Sequence, residues 1–387
     1  MSTDTTTGTS PTPTADAPAS PAPAGSGAGP RRGPGLPLRL LGMLGLVALL
    51  AVLPLVNLSI PGVLPGATYT PGTLQLMALA LVFASLALTY HVIFGVAGLL
   101  SFGHALYLAI GAYGLGIVLD RTDLGLVPAM ALTLVAGAVV ALVLGAVGLR
   151  VGGISFAMVT LAFAQAGSVL IRRNSDVTGG EEGLRLDTTH VPDALVGVTD
   201  TRNLYWVAVV LLVVVFALVT WFERSRAGHV AAATRENELR VRVLGLRPFA
   251  VKLLAFVTGS VLAVVVGMVY LLLQSGATPR IASADFTLTI LVIVVLGGLG
   301  SRWGAVVGGI VYTLLDQRLT ALAASDAVEG LPGVLSVPLG EPLFILGTLF
   351  ILVVLFVPGG LVGLGARLAG ARSRAGRPAV AAGEDGP

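Results

Sequence analysis

Long apolar runs separated by short polar stretches dominate the chain from about residue 39 onward. Runs long enough to cross a hydrocarbon core of ~30 Å, which takes about 20 helical residues, fall at residues 39–59, 74–94, 127–149, 154–171, 204–222, 252–274 and 342–358. Three further runs, 97–119, 286–300 and 304–322, are interrupted by glycine. The pattern predicts an all-α integral membrane protein with about ten transmembrane helices, some of them Gly-interrupted. Residues 1–37 are Thr, Ser, Pro, Ala and Gly with almost no large apolar side chain. Such a segment cannot bury enough surface to offset the entropy of ordering, so a disordered tail is expected there. Arg31 and Arg32 arrive only after that polar stretch, so the first apolar run reads as a retained anchor and not as a cleaved signal peptide. The membrane domain is then expected over 38–366, with a second disordered, basic tail over 367–387.

Composition agrees with the pattern. A 387-residue chain that is 55% hydrophobic, 11% charged and has a mean hydropathy of +0.92 cannot hide that much apolar surface in one soluble core, so the lipid bilayer is its expected solvent. Fifty-one glycines among these residues suggest helices packed at close range, because Gly lets backbones approach where lipid supplies no hydrophobic drive between helices. With no cysteine, disulfides, thiolate metal sites and thiol catalysis are excluded, and four scattered histidines leave little for a metal site. The net charge of +3 gives no reason to expect a nucleic-acid partner.

Charge placement orients the expected spans, since Lys and Arg near span ends stay on the cytoplasmic side. With the N-terminus inside, sixteen of the 23 basic residues fall inside, seven of them between Arg224 and Lys252. Both termini and the basic segment 223–251 are then cytoplasmic. The sizeable outer segment, 172–203, carries six acids against four arginines, and reads either as a landing site for a soluble partner or as a solvated loop. Ionisable groups inside the spans are few: Gln165 sits midway along its run, with Asn57, His91, His104 and Asp316 near predicted ends. A proton- or sodium-coupled carrier needs a membrane-embedded relay of such groups, and none is evident.

Two glycine-rich segments stand out. In GVAGLLSFGHALYLAIGAYGLGIVL, Gly98, Ser101, Gly103 and His104 lie where a helix would break. In VLGGLGSRWGAVVGGIVY, Gly298 and Ser301 mark a tight turn, with Arg302 and Trp303 expected at the membrane interface. Together with Gln165 these residues are candidates to line or gate a path; ordinary Gly-mediated packing is the alternative. The basic segment RSRAGHVAAATRENELRVRVLGLRPFAVKLLAF contains no proline from Arg226 to Leu244, and Val230, Thr234, Asn237, Val241 and Leu244 recur at helical spacing. One amphipathic helix is expected there, stopped at Gly245, with Arg235, Glu236 and Glu238 facing water or a partner. Attraction to anionic lipid is the competing reading of this segment.

The runs GVAGLLSFGHALYLAIGAY, AGHVAAATRENELRVRVLG, VKLLAF and VVLGGLGSRWGAVVGG, in that order, resemble the permease family of branched-chain amino acid ABC importers, LivM type, over roughly residues 75–358. The resemblance implies the ABC importer permease architecture: a membrane channel working with a second homologous permease subunit, two cytoplasmic ATPase subunits and an extracytoplasmic solute-binding protein. It implies that Arg235, Glu236, Asn237, Glu238 and Gly245 belong to a coupling segment seated in the ATPase. ATP and Mg would reside on those subunits, so this chain would bind no cofactor and catalyse nothing itself. It departs from the family pattern at His229 and Ala232, where relatives carry arginines, and in Ala263–Gly267, where relatives often have a second glycine. Related permeases serve leucine, isoleucine and valine, whereas cousins serve urea or short amides. A self-sufficient secondary transporter is the rival from another class, and would need the relay that the sequence lacks.

Overall fold

The computed structural model describes residues 48, 50, 52–56, 66–196, 201–323, 341–357 and 359–363. Both expected tails, most of the first expected span and Asp200 lie outside these residues, as does the whole of the Met1–Gly45 unit. The description that follows concerns the unit from Leu46 onward.

Every expected span within the described residues carries a helix. These are α1 (Pro71–Tyr90), α2 (His104–Arg121), α3 (Leu126–Gly148), α4 (Ile154–Arg173) and α5 (Thr201–Arg224), then α8 (Pro248–Gln274), α9 (Ala284–Gly297), α10 (Arg302–Ala323) and α11 (Pro342–Phe356). Between α5 and α8 lie two short helices, α6 (Arg226–Glu236) and α7 (Glu238–Val243). The chain is an all-α membrane protein. Five helices are long and apolar enough to cross a bilayer, or six if α9 and α10, which meet at a 117° bend, count as one broken span. Proline opens α1, α8 and α11, where its missing N–H would have had no helical partner.

The helices sort by what their side chains touch. In α1 and α8, 89% and 72% of the apolar window is buried against 22% in α3, so the first two form the core and α3 faces lipid. Residues on α3 show why it packs this way. Beyond Leu126 at its start, the residues it buries are all small, and Ala129, Thr133, Gly137, Ala141 and Gly145 recur every fourth position, while Val127, Val135, Val139 and Val143 are exposed. A ridge of small side chains lets α3 lie close against α8 and turns its bulk toward lipid. A β-carbon at Gly137 would lie 2.8 Å from a Val264 methyl, and one at Gly111 would strike the Val264 carbonyl. Val264, in the stretch that lacks a second glycine, is therefore received by glycines on α2 and α3.

One end of the bundle gathers Arg150, the basic segment and Arg302. The opposite end carries the acidic segment, which is built as a folded cap. A helical turn at Ser175–Thr178 is followed by Gly179, Gly180 and Gly183, all with positive φ, and by β1 (Leu184–Arg185). Strand β1 pairs antiparallel with β2 (Gly276–Ala277), which follows α8. Asp176, Glu181, Glu182 and Asp193 all point into solvent, and Arg121 donates to the Asp176 carbonyl, tying the cap to the end of α2.

Candidate functional site

After α1 the chain widens into a π-helix, His91–Val96, then runs non-helically through residues 98–103 before α2 begins at His104. This crossing is thus irregular in its first part and helical from His104 onward. Its exposed backbone donors sit inside the protein and must find partners there. Phe102 N–H donates to Thr160 Oγ1 of α4 at 3.0 Å, Gly103 N–H to Ser101 Oγ at 3.3 Å, and Ala105 N–H to Thr287 Oγ1 of α9 at 3.1 Å. His104 Nε2 and Thr89 Oγ1 of α1 are 2.8 Å apart, and the Tyr90 hydroxyl donates to the Ser101 carbonyl at 3.0 Å. Three helices thus supply hydroxyls to the break.

The basic segment folds as two helices, a difference from the single one expected. Asn237 leaves helical backbone space at φ −156°, ψ 100°, and its side-chain oxygen accepts from Arg240 N–H at 2.9 Å, starting α7 as an N-cap. Asn237→Ala is expected to cost about 1 kcal/mol of local stability, read as roughly fivefold faster amide exchange over residues 238–243, with Asn237→Asp retaining protection. The expected stop at Gly245 is present: at φ 79° its N–H bonds to the Arg242 carbonyl while Leu246 N–H bonds to Val241, the paired pattern of a Schellman end. Glu238 accepts from Lys252 at 2.5 Å and from Arg242 at 3.0 Å, and the Lys252 ammonium holds its carboxyl below the usual carboxylate range.

Arg235 does not simply face outward. Its guanidinium donates to the Gly95 carbonyl inside the π-helix, and its stem covers Gly98, where a β-carbon would lie 2.6 Å from Arg235 Cγ. Gly98 has φ 69°, which glycine adopts without strain. A second tie lies at the root of α6. Glu223, in the last turn of α5, has one carboxylate oxygen 2.8 Å from His91 Nε2 and the other 2.9 Å from Arg302 Nη1. Arg302 also lies over the Phe216 ring at 5.7 Å, and Trp303 packs on that ring with centroids 4.9 Å apart. Both breaks in the apolar pattern, the one after α1 and the bend between α9 and α10, therefore converge on one carboxylate two residues before Ser225, whose side chain caps α6. The cluster sits at one end of the helices and is no relay across them.

Residues 72–356 match the sequence family described as the branched-chain amino acid transport system / permease component. This chain belongs to that family. It is 27% identical over 274 residues to the high-affinity branched-chain amino acid transport system permease protein LivM of Escherichia coli (strain K12), covering 64% of each chain. It is 23% identical over 297 residues to LivH of the same organism, covering 73% of this chain and 91% of LivH. BraD of Pseudomonas aeruginosa is 26% identical over 255 residues, with 60% and 80% covered. The matched stretch thus spans 64% of the length of the LivM relative.

Within this chain the predicted residues divide into groups. Ser101, Gly103 and His104 are together, buried in packed protein at the break. Gly98 lies with Arg235 at the basic end; Asn237, Glu238 and Gly245 shape the two short helices, and Glu236 is exposed at the end of α6. Gly298, at φ 121°, is buried against the Gly359 carbonyl, and Ser301 Oγ accepts from Gly304 N–H at 3.3 Å to start α10. Gln165 stands apart, exposed on α4. Sequence reasoning missed Glu223 and the hydroxyls of Thr89, Thr160 and Thr287. A signal was available for Glu223, a carboxylate at the end of an apolar run otherwise flanked by arginines, since an acid there needs a cationic partner.

Proposed function

We propose that this chain is a membrane-spanning permease subunit of an ATP-binding cassette importer for branched-chain amino acids. It would pair with a second homologous permease, receive solute from an extracytoplasmic binding protein, and be driven by two cytoplasmic ATPase subunits that carry ATP and Mg. The positive-inside rule favours the basic end as cytoplasmic, and with it the N- and C-termini, in a bacterial inner membrane. The observation that carries this reading is the double attachment of the broken crossing to helices at the basic end, through Arg235 of α6 on Gly95 and through Glu223, at the end of α5 just before α6, on His91. A push on these helices from outside the membrane has a rigid route to the break. The printed names of the relatives, each a permease protein of a branched-chain amino acid transport system, support the choice of solute.

Leu239, Val243 and Leu244 present 68–80% of their surface at the tip of this element, and a partner groove that covered them would gain by burial. The test is affinity purification of tagged chain from native membranes in mild detergent. Two ATPase subunits and a second permease are expected to accompany it, and the associated binding protein is expected to bind leucine and not urea. Recovery of the chain alone, with uptake intact, would replace the importer with a self-sufficient transporter.

A further inference from the structure

A cavity of about 1170 Å³ opens at the basic end between the α3–α4 turn, the start of α8 and the two short helices. Its walls carry Arg150, Arg235, Arg242, Arg247 and Lys252 against a single carboxylate, Glu238. Glu238 is already shared by Lys252 and Arg242, and Arg235 is engaged with Gly95. Arg150 and Arg247 are exposed and make no ion pair with a described residue. The cavity is therefore strongly electropositive, and two of its guanidinium groups are unspent. The first turns of α4 and α8 also open on it, neither capped by a side chain, so their backbone dipoles add to the same sign.

The mouth is apolar where it meets the membrane-facing surface. Ile154 is 81% exposed and Val151 39%, and below them Met158 on α4 and Val147 on α3 continue the apolar strip. A ligand that fits must be anionic at one end and hydrocarbon at the other. We infer that this cavity binds the phosphate headgroup of an anionic glycerophospholipid, held by Arg150 and Arg247, with its acyl chains lying along α3 and α4. Two observations favour lipid over a free phosphate or a soluble phosphoester: the hydrocarbon strip leads directly from the charges, and the site lies at the ends of membrane-spanning helices, where headgroups reside. Charge-assisted hydrogen bonds from guanidinium to phosphate supply the specificity. This inference needs only that the basic end meet a membrane surface, and it stands independently of the importer reading.

The experiment is native mass spectrometry of the full detergent-purified chain with added short-chain phosphatidylglycerol, phosphatidylcholine or inorganic phosphate. Phosphatidylglycerol is expected to be retained, and Arg150→Ala combined with Arg247→Ala to weaken retention by about tenfold or more, the effect of losing charged hydrogen bonds. Arg226→Ala, an exposed arginine outside the cavity, is expected to bind as the parent does. Circular dichroism of the double variant should match the parent, because both side chains are exposed and outside the ion pairs of the described residues, and the substitutions leave the backbone bonds in place. Equal retention of phosphatidylcholine would reduce the site to an apolar groove and overturn the inference. Unchanged retention in the double variant would place the lipid elsewhere, and displacement by inorganic phosphate at equal concentration would make the ligand a free anion.

Discussion

Glu223→Ala is expected to lower stability by about 3 kcal/mol, near the bottom of the range for breaking a buried ion pair because Glu223 keeps 22% of its side chain exposed. The loss arises from what is left behind. His91 and Arg302, with side chains 2% and 26% exposed, would lose their acceptor and could not both reach water. Removing Arg302 as well should recover part of the cost, since it relieves the stranded cation. A thermal-unfolding double-mutant cycle on purified protein should give a coupling of about 1–3 kcal/mol for Glu223 and Arg302. Additive losses would mean that the two ends of the network do not communicate. Under the importer reading, the conservative Glu223→Gln should keep a folded chain while uptake falls more than stability does, because the amide can no longer hold both partners as a carboxylate does.

Gly103→Leu is expected to remove folded protein from the membrane, and with it all uptake. A β-carbon at this position would lie 2.6 Å from the Thr160 carbonyl oxygen, a backbone atom that cannot rotate away. Overpacking usually costs about 1–3 kcal/mol when side chains can adjust; here the irregular segment 98–103 would have to separate from α4 and give up the Phe102 bond to Thr160. Even Gly103→Ala should reduce the yield of folded protein measured by size-exclusion chromatography. A Leu variant that accumulates normally but fails to transport would instead put Gly103 beside the solute.

The helices were legible because a bilayer demands long apolar runs, and the observed limits of α3, α4 and α8 lie within a few residues of those runs. The break near Gly98 and the stop at Gly245 were legible for a local reason, since each uses glycine at positive φ. What periodicity could not supply was contact across the sequence. Asn237 reads as a member of an apolar stripe until its side chain is seen capping α7. Arg235 reads as a solvent-facing charge, yet reaches a carbonyl 140 residues earlier. The threonines that satisfy the break sit on helices α1, α4 and α9, where a hydroxyl in an apolar run carries no mark of its partner. The acidic segment was legible as solvated, but its tie to β2 depends on pairing between residues far apart.

The π-helical turn has a consequence for length. Ala97 N–H reaches back to the Val92 carbonyl at 3.2 Å and Leu99 N–H to Ile93 at 3.0 Å, so the backbone holds slack that an α-helix would not contain. Tightening the turn by one residue would rotate everything beyond it by about 100°. Gly98 would swing out from beneath Arg235, and the irregular segment 98–103 would be displaced against α4, to which Phe102 is bonded. A single spare residue thus makes the crossing behave as a thread with a fixed number of turns, whose pitch converts a small twist at one end into travel at the other.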